Sequence, residues 1–187
     1  MFVIFLIISS SLFAQDFTFQ GLPWGSSREQ IIDKLGSPDD LSPASVNINN
    51  ANIFSYATSL LGYLSRLNIF INENGMYGVH YNIGHIQRLD SSQLKMAHII
   101  ILGSLFERYG TYHEIIISDT AVRNNEDQYF VWHFNDFHIG LFVGVDDNYA
   151  LGSSDVLYLS YMPTSMWNQF EETIKTENMR RFPNMDF

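Results

Sequence analysis

Two histidines, His133 and His138, flank a tight turn in the segment FVWHFNDFHIG. A two-residue turn at Asn135-Asp136 sets Phe134 opposite Phe137 and His133 opposite His138, with Tyr129, Val131, Gly140 and Phe142 on the histidine side. Trp132, Phe130, Ile139 and Leu141 then line the core side. A cross-strand imidazole pair has two chemical uses. With a carboxylate from the polar stretch 119–127 it can do general acid–base work, and with further ligands it can hold zinc. No third ligand falls at a suitable spacing, so no metal and no cofactor is expected. Tyr129, His133, His138 and Phe142 are therefore candidate binding residues, and no catalytic residue is assigned.

The remaining chemistry-bearing patterns are weaker. The acidic loop 146–155, DDNYALGSSD, lacks the alternating ligands and closing glutamate of an EF-hand, and reads as a solvated loop. Asp119, Glu126 and Asp127 supply carboxylates without a pocket to desolvate one of them. There is no G-x-S-x-G elbow, no phosphate-binding glycine loop and no dinucleotide fingerprint. His98 lies inside the apolar stripe of a helix, where a half-buried structural role is expected.

The elements that must position these residues are legible in outline. Residues 21–38 describe a short helix, capped by Ser26 with Glu29 or Ser27 with Gln30, closed by Gly36 and stopped by Pro38. Residues 39–52 read as a loop. A strand follows near 53–58, then a hairpin over 64–83 with a three-residue loop at Glu73-Asn74-Gly75. This register puts Leu67, Ile69 and Ile71 on one face with Tyr77, Val79 and Tyr81, and His80 on the other with Asn68 and Asn82. Asp90 and Gln93 open a long helix to Tyr109, closed by Gly110. Leu94, Ala97, Ile101, Leu105 and Tyr109 form its stripe, widened by Ile99, Ile100, Leu102 and Phe106, a breadth that belongs against a sheet. Further strands are expected at 113–118, 129–134, 137–145 and 156–162, and a last helix at about 164–176 buries Trp167, Phe170 and Ile174.

Composition bounds the class. Twenty acidic against ten basic residues give a formal charge of −10, which opposes nucleic acid and anionic membrane surfaces. With 46% hydrophobic residues the chain is far from the disordered regime. The absence of cysteine excludes thiol chemistry, thiolate metal sites and a lipidated N-terminal cysteine. Residues 1–14 form an apolar run too short to span a membrane and ending in Ala14 before Gln15-Asp16, the pattern of a secretory signal cleaved after Ala14. After its removal the protein is not expected to be an integral membrane protein. A periplasmic or secreted location in a bacterial envelope follows.

The chain repeats a plan: a helix closed by glycine, a loop, and antiparallel strands ending in Tyr81 or Tyr161. The expected class is α+β, with two similar halves, 15–88 and 89–177, each a helix followed by antiparallel strands, packed as helices against antiparallel sheet, and a tail at 178–187. WGSSREQIIDKLGSP at 24–38 resembles the helix element of small exported bacterial proteins of the BamE and beta-lactamase-inhibitor-protein type, carried by Trp24, Gly25, Ser26, Leu35, Gly36 and Pro38. That resemblance implies a helical layer on an antiparallel sheet and action by binding other proteins. The chain departs from those families in having neither the lipid-anchor cysteine nor cysteines for the inhibitor's disulfides, and no functional residue carries over. The expected function is an exported, non-catalytic binding or scaffold protein recognising a protein or peptide. The alternatives are an envelope hydrolase using His133 or His138 with a loop carboxylate, or a carrier of a small ligand between the halves.

Overall fold

The computed structural model describes residues 18–43, 52–117, 128–146, 154–168 and 171–172. The leader, the 119–127 carboxylates, most of the acidic loop after residue 146, Phe170, Ile174 and the tail lie outside them. Two short strands, β1 (Thr18–Phe19) and β2 (Leu22–Pro23), pair with each other. Eight more form one antiparallel sheet: β3 (Asp40–Pro43), β4 (Asn52–Leu60), β5 (Tyr63–Asn72), β6 (Gly75–Ile83), β7 (Glu114–Ile117), β8 (Gln128–His133), β9 (Phe137–Asp146) and β10 (Ser154–Pro163). Their spatial order is β3-β4-β5-β6-β10-β9-β8-β7.

The expected architecture is thereby corrected. The chain does not fold as two similar halves, each with its helix on its own strands. It builds a single continuous sheet, and its main helices among the described residues are α1 (Arg28–Leu35) and α2 (Ser91–Tyr109), of 8 and 19 residues. The two runs of strands join where β10 pairs with β6, from Tyr161 opposite Val79 to Leu157 opposite Ile83. A free-standing run would leave the N–H and C=O groups along β6 or β10 unpaired, and pairing the two edges satisfies both rows while fusing the apolar faces. One core therefore contains Phe54, Leu67, Ile69, Val79, Leu157, Ile139, Leu141 and Trp132, with Ile31, Leu94, Ala97, Ile101 and Leu105 packed in from the helices.

Local chemistry sets the helix ends. At the start of α1 the Ser27 hydroxyl oxygen accepts from the Gln30 N–H at 3.3 Å, and the Ser27 N–H donates to Gln30 Oε1 at 2.8 Å. Ser26, the other possible cap, is buried and donates to the Pro23 carbonyl at 2.7 Å. Asp90 and Gln93 make the same reciprocal pair at the start of α2. Gly36 and Gly110 end the two helices at φ +86° and +78°.

The β5–β6 hairpin corrects the expected three-residue loop at Glu73-Asn74-Gly75 and the placing of Tyr77 on the core face. Asn72 pairs with Gly75 and Ile71 with Met76, so the turn has two residues, and the extra residue is a bulge before Gly78. Beyond it Ile69 faces Val79, Leu67 faces Tyr81 and Asn68 faces His80. The bulge moves Tyr77 off the core face; Met76, almost fully buried, fills that place. Within the stretch expected as a loop, residues 40–43 form β3, because Asp39 N–H donates to the Ser55 carbonyl and Leu41 pairs with Phe54.

Trp132 is fully buried, and its indole N–H donates to the Gly110 carbonyl at 2.9 Å, tying β8 to the end of α2. Replacing Trp132 with Phe keeps most of the apolar volume but orphans that carbonyl, at an expected cost of about 2 kcal/mol. Equilibrium urea unfolding measures it; an unchanged midpoint would show that the bond contributes nothing.

Candidate functional site

The histidine pair forms as the turn dictates. His133 and His138 are directly opposite, Phe134 stacks on Phe137 at 4.5 Å, and the two Nδ1 atoms lie 2.8 Å apart. Neighbours from other segments complete the cluster. Glu114 Oε2 on β7 is 2.9 Å from His133 Nε2, Thr164 Oγ1 is 3.2 Å from His138 Nε2, and His113 Nδ1 accepts from the His133 backbone N–H at 2.8 Å. Trp167, in the helical stretch 164–168, stacks on the His138 ring at 5.3 Å. Burial, helped by neighbouring His133 and opposed by Glu171, pushes the His138 pKa down to about 4, so its ring is neutral near pH 7.

All four ring nitrogens of this pair therefore have partners within the protein. The cluster works as a clasp joining β7, β8, β9 and the start of the C-terminal helical stretch. Among the described residues, no group of three His, Asp or Glu side chains is placed to hold a metal. The loop carboxylates expected beside these histidines lie outside the described residues, and Glu114 takes the place beside His133.

Tyr129 and Phe142 share the clasp's side of the sheet and extend into a ladder: Tyr129 stacks on Phe142 at 4.7 Å and Phe142 on Tyr158 at 5.0 Å. Gly140 and Gly78 sit on the same face beneath the C-terminal segment, where a Cβ would lie 3.7 Å from Trp167 Cζ3 and 2.8 Å from Met166 Sδ respectively. These two missing side chains let Met166 and Trp167 lie close on the strands. The residues of the 24–38 element are structural: Trp24 and Leu35 pack on the core, Gly25 N–H donates to the Met76 carbonyl, Gly36 caps α1 and Pro38 follows it.

The most exposed apolar feature lies on α2. Leu94, Ala97, Ile101 and Leu105 are buried against the sheet, as their spacing requires. Met96, Ile99, Ile100 and Phe106 lie outward and are 54%, 65%, 40% and 38% exposed. The expectation that Ile99 and Ile100 widen a sheet-facing stripe is corrected for those two, which at 100° per residue fall away from the buried side of the cylinder; Phe106, though 38% exposed, does reach the sheet, its ring edge-on to that of Trp132 at 6.0 Å. Gly103 lies in the same outer stripe, with nothing within 4 Å of where a Cβ would stand, so the middle of that face is flat. His98 sits at the boundary, half-buried, edge-on to Phe130 at 5.5 Å.

No family model matches the chain, and no curated protein matches it. Among solved structures it is similar to an extracellular protein containing a SCP domain from Bacillus anthracis str. Ames, with 13% identity and a TM-score of 0.41. The similarity covers 76% of this chain and 44% of that one, so the chain spans less than half the length of that protein. Among the described residues no helix is long and apolar enough to cross a membrane.

Glu114, His113, Thr164 and Trp167 belong to the histidine cluster, and sequence reasoning misses all four. A weak signal exists for the first two, because they begin the strand that pairs with β8. None exists for Thr164, which is 26 residues from His138. The outer stripe of α2 shows in the sequence as apolar residues all round one helix, but spacing alone does not give its direction.

Proposed function

We propose that this is an exported, non-catalytic binding or scaffold protein of a bacterial envelope, which docks a protein or peptide partner on the outer face of α2. The observation that carries the reading is Ile99, 65% exposed, at the centre of a stripe with Met96, Ile100 and Phe106. A helix that is apolar all round is ordinarily covered all round, and large aliphatic side chains grouped on one exposed face mark an interaction surface. The leader pattern at 1–14 supports export, and the acidic excess favours a neutral, basic or apolar partner. The 24–38 element, with its resemblance to exported proteins that act by binding, points the same way. The rings of the histidine pair are bonded to each other, to Glu114 and to Thr164, which supports a structural role for them as a clasp between strands.

A photo-crosslinking residue at position 99 is expected to capture a reproducible partner in the envelope fraction, and the same probe at exposed Ser59 is not. Replacing Ile100 with Glu should weaken capture at least tenfold while the circular dichroism spectrum and urea midpoint stay unchanged, because that side chain contributes little to the core. Equal capture from both positions, or capture indifferent to Ile100→Glu, would remove the reading.

A further inference from the structure

The outer face of α2 is laid out symmetrically about one level of the helix. Counting from buried Ile101, Ile99 and Gly103 lie two residues to either side, Met96 and Phe106 five, and the exposed Lys95 and Glu107 six. At about 100° per residue, Ile99 and Gly103 fall close to the direction opposite Ile101, Met96 and Phe106 flank them, and Lys95 and Glu107 mark the two borders. The steps from Met96 to Ile99, Gly103 and Phe106 are three, four and three residues, the spacing of a helix-pairing seam. Gly103 has no task inside the described fold. Its backbone is ordinary helix, and among the described residues nothing lies within 4 Å of its Cβ position. A glycine in mid-helix weakens the helix, and what it offers in return is room for another chain to come close.

We infer that α2 pairs antiparallel with α2 of a second copy of this chain, across a two-fold axis at the level of Ile101. The inference rests on the reading of this face as a docking surface and names its occupant. In such a pair each side chain meets one of different size or charge. Ile99 of one copy enters the notch over Gly103 of the other, twice by symmetry, and the helix axes can approach closely. Met96 comes level with the exposed part of Phe106, which suits a thioether beside an aromatic ring. Lys95 comes level with Glu107 at each end, across a gap that two long side chains can span. Among the described residues neither has an ion-pair partner in its own chain. A parallel pair would set Gly103 over Gly103, Lys95 beside Lys95 and Glu107 beside Glu107, with a void at the centre and like charges at the rim. The net charge of −10 opposes self-association, and a contact on one 19-residue helix about 28 Å long is small, so the dimer dissociates in the micromolar range.

Sedimentation velocity of the exported chain, purified from the envelope fraction, should show a monomer–dimer equilibrium, and the probe at position 99 should capture the chain itself. Gly103→Leu fills the notch at a site with no neighbour in its own chain. It should raise the urea midpoint, because leucine favours helix, while weakening the dimer about tenfold or more. Lys95→Glu turns two attractive pairs repulsive and should weaken the dimer about tenfold. Adding Glu107→Lys should restore it, whereas restoring the net charge at remote, exposed Glu73 with Glu73→Lys should not. The chain has no cysteine, so introduced thiols report the orientation. A mixture of Met96→Cys and Phe106→Cys proteins should form a disulfide between the two, and neither protein alone should. A chain that stays monomeric to about 100 micromolar, a dimer indifferent to Gly103→Leu, or a disulfide formed within Met96→Cys alone overturns the antiparallel pair. A monomer from which the position-99 probe still captures a different protein removes self-pairing and leaves the docking reading of α2 in place; capture of neither removes both.

Discussion

Lowering the pH from 7 to 4 is expected to cost this protein much of its folding stability, through His80 and His138. Both have pKa values pushed down to about 4 from an ordinary 6.5, chiefly by burial. Above pH 6.5 the rings are neutral whether the chain is folded or not, and the full stability is present. Between 6.5 and 4 the unfolded chain takes up protons that the folded chain refuses, so stability falls as the pH falls. Below 4 both states are protonated at these two sites and their contribution is spent. At 1.36 kcal/mol per pKa unit, the deeply buried ring of His80 accounts for about 3 kcal/mol and the more solvent-screened His138 for less, against a total stability of roughly 5–15 kcal/mol for a protein of ordinary size. His98 shifts in the same direction, again through burial. The urea midpoint measured across this window checks the expectation. His80→Phe should recover the larger part of the loss, since Phe cannot be charged and His80 is the more deeply buried ring. A midpoint that is flat from pH 7 to 4 would show that neither ring is held neutral.

Gly75→Ala should be the most damaging of the glycine substitutions. Gly75 opens β6 at φ +94°, and a Cβ there would stand 2.3 Å from the Gly25 carbonyl oxygen, 2.5 Å from its carbon and 2.7 Å from the Ser26 carbonyl oxygen. All three obstacles are backbone, so no side-chain rotation relieves them. The segment must withdraw, which breaks the bonds from Gly25 N–H to the Met76 carbonyl and from Met76 N–H to the Ser26 carbonyl. Backbone strain of about 1–3 kcal/mol and two hydrogen bonds of about 1 kcal/mol each give an expected loss of about 4 kcal/mol. Gly36→Ala is the internal comparison: its φ is +86°, but nothing lies within 4 Å of its Cβ position, so strain alone applies, about 1 kcal/mol. Thermal and urea unfolding of the two variants measure the difference, and similar losses would mean that the contact with residues 25–26 is not tight.

The same contact gives WGS at 24–26 a second role. It reads as the approach to a helix cap, and it is also the strap that holds the tip of the β5–β6 hairpin. Only the cap is local. Ser27 and Gln30, or Asp90 and Gln93, find each other within one turn of chain, so their bonds follow from spacing. The Asn135-Asp136 turn likewise brings His133 to His138 over five residues. These features are legible in the order of residues alone, as are the alternation of β8 and β9 and the buried stripe of α2.

Features that depend on remote segments are not. Alternating strands announce two faces, but they do not say which edge meets which, and here β6 and β10 join across 74 or more residues to make one sheet in place of two helix-and-strand halves. The saturation of the histidine pair requires Glu114 and Thr164, 19 and 26 residues from their partners. The bulge that turns Tyr77 off the core comes from competition between the turn and the packing of Met76, which spacing alone does not decide.

The sequence by itself determined the cap of α2, the glycine ends of both helices, the Asn135-Asp136 turn with its opposed histidines, the acidic and cysteine-free character of the chain, and the presence of more apolar surface on α2 than one face can bury, because each is set by neighbours a few residues apart or by composition. Only the tertiary structure decided which side of α2 stays uncovered and that the histidines bond to Glu114 and Thr164. Those outcomes depend on which distant edges and faces lower the free energy most when brought together, a choice made by the whole sheet at once.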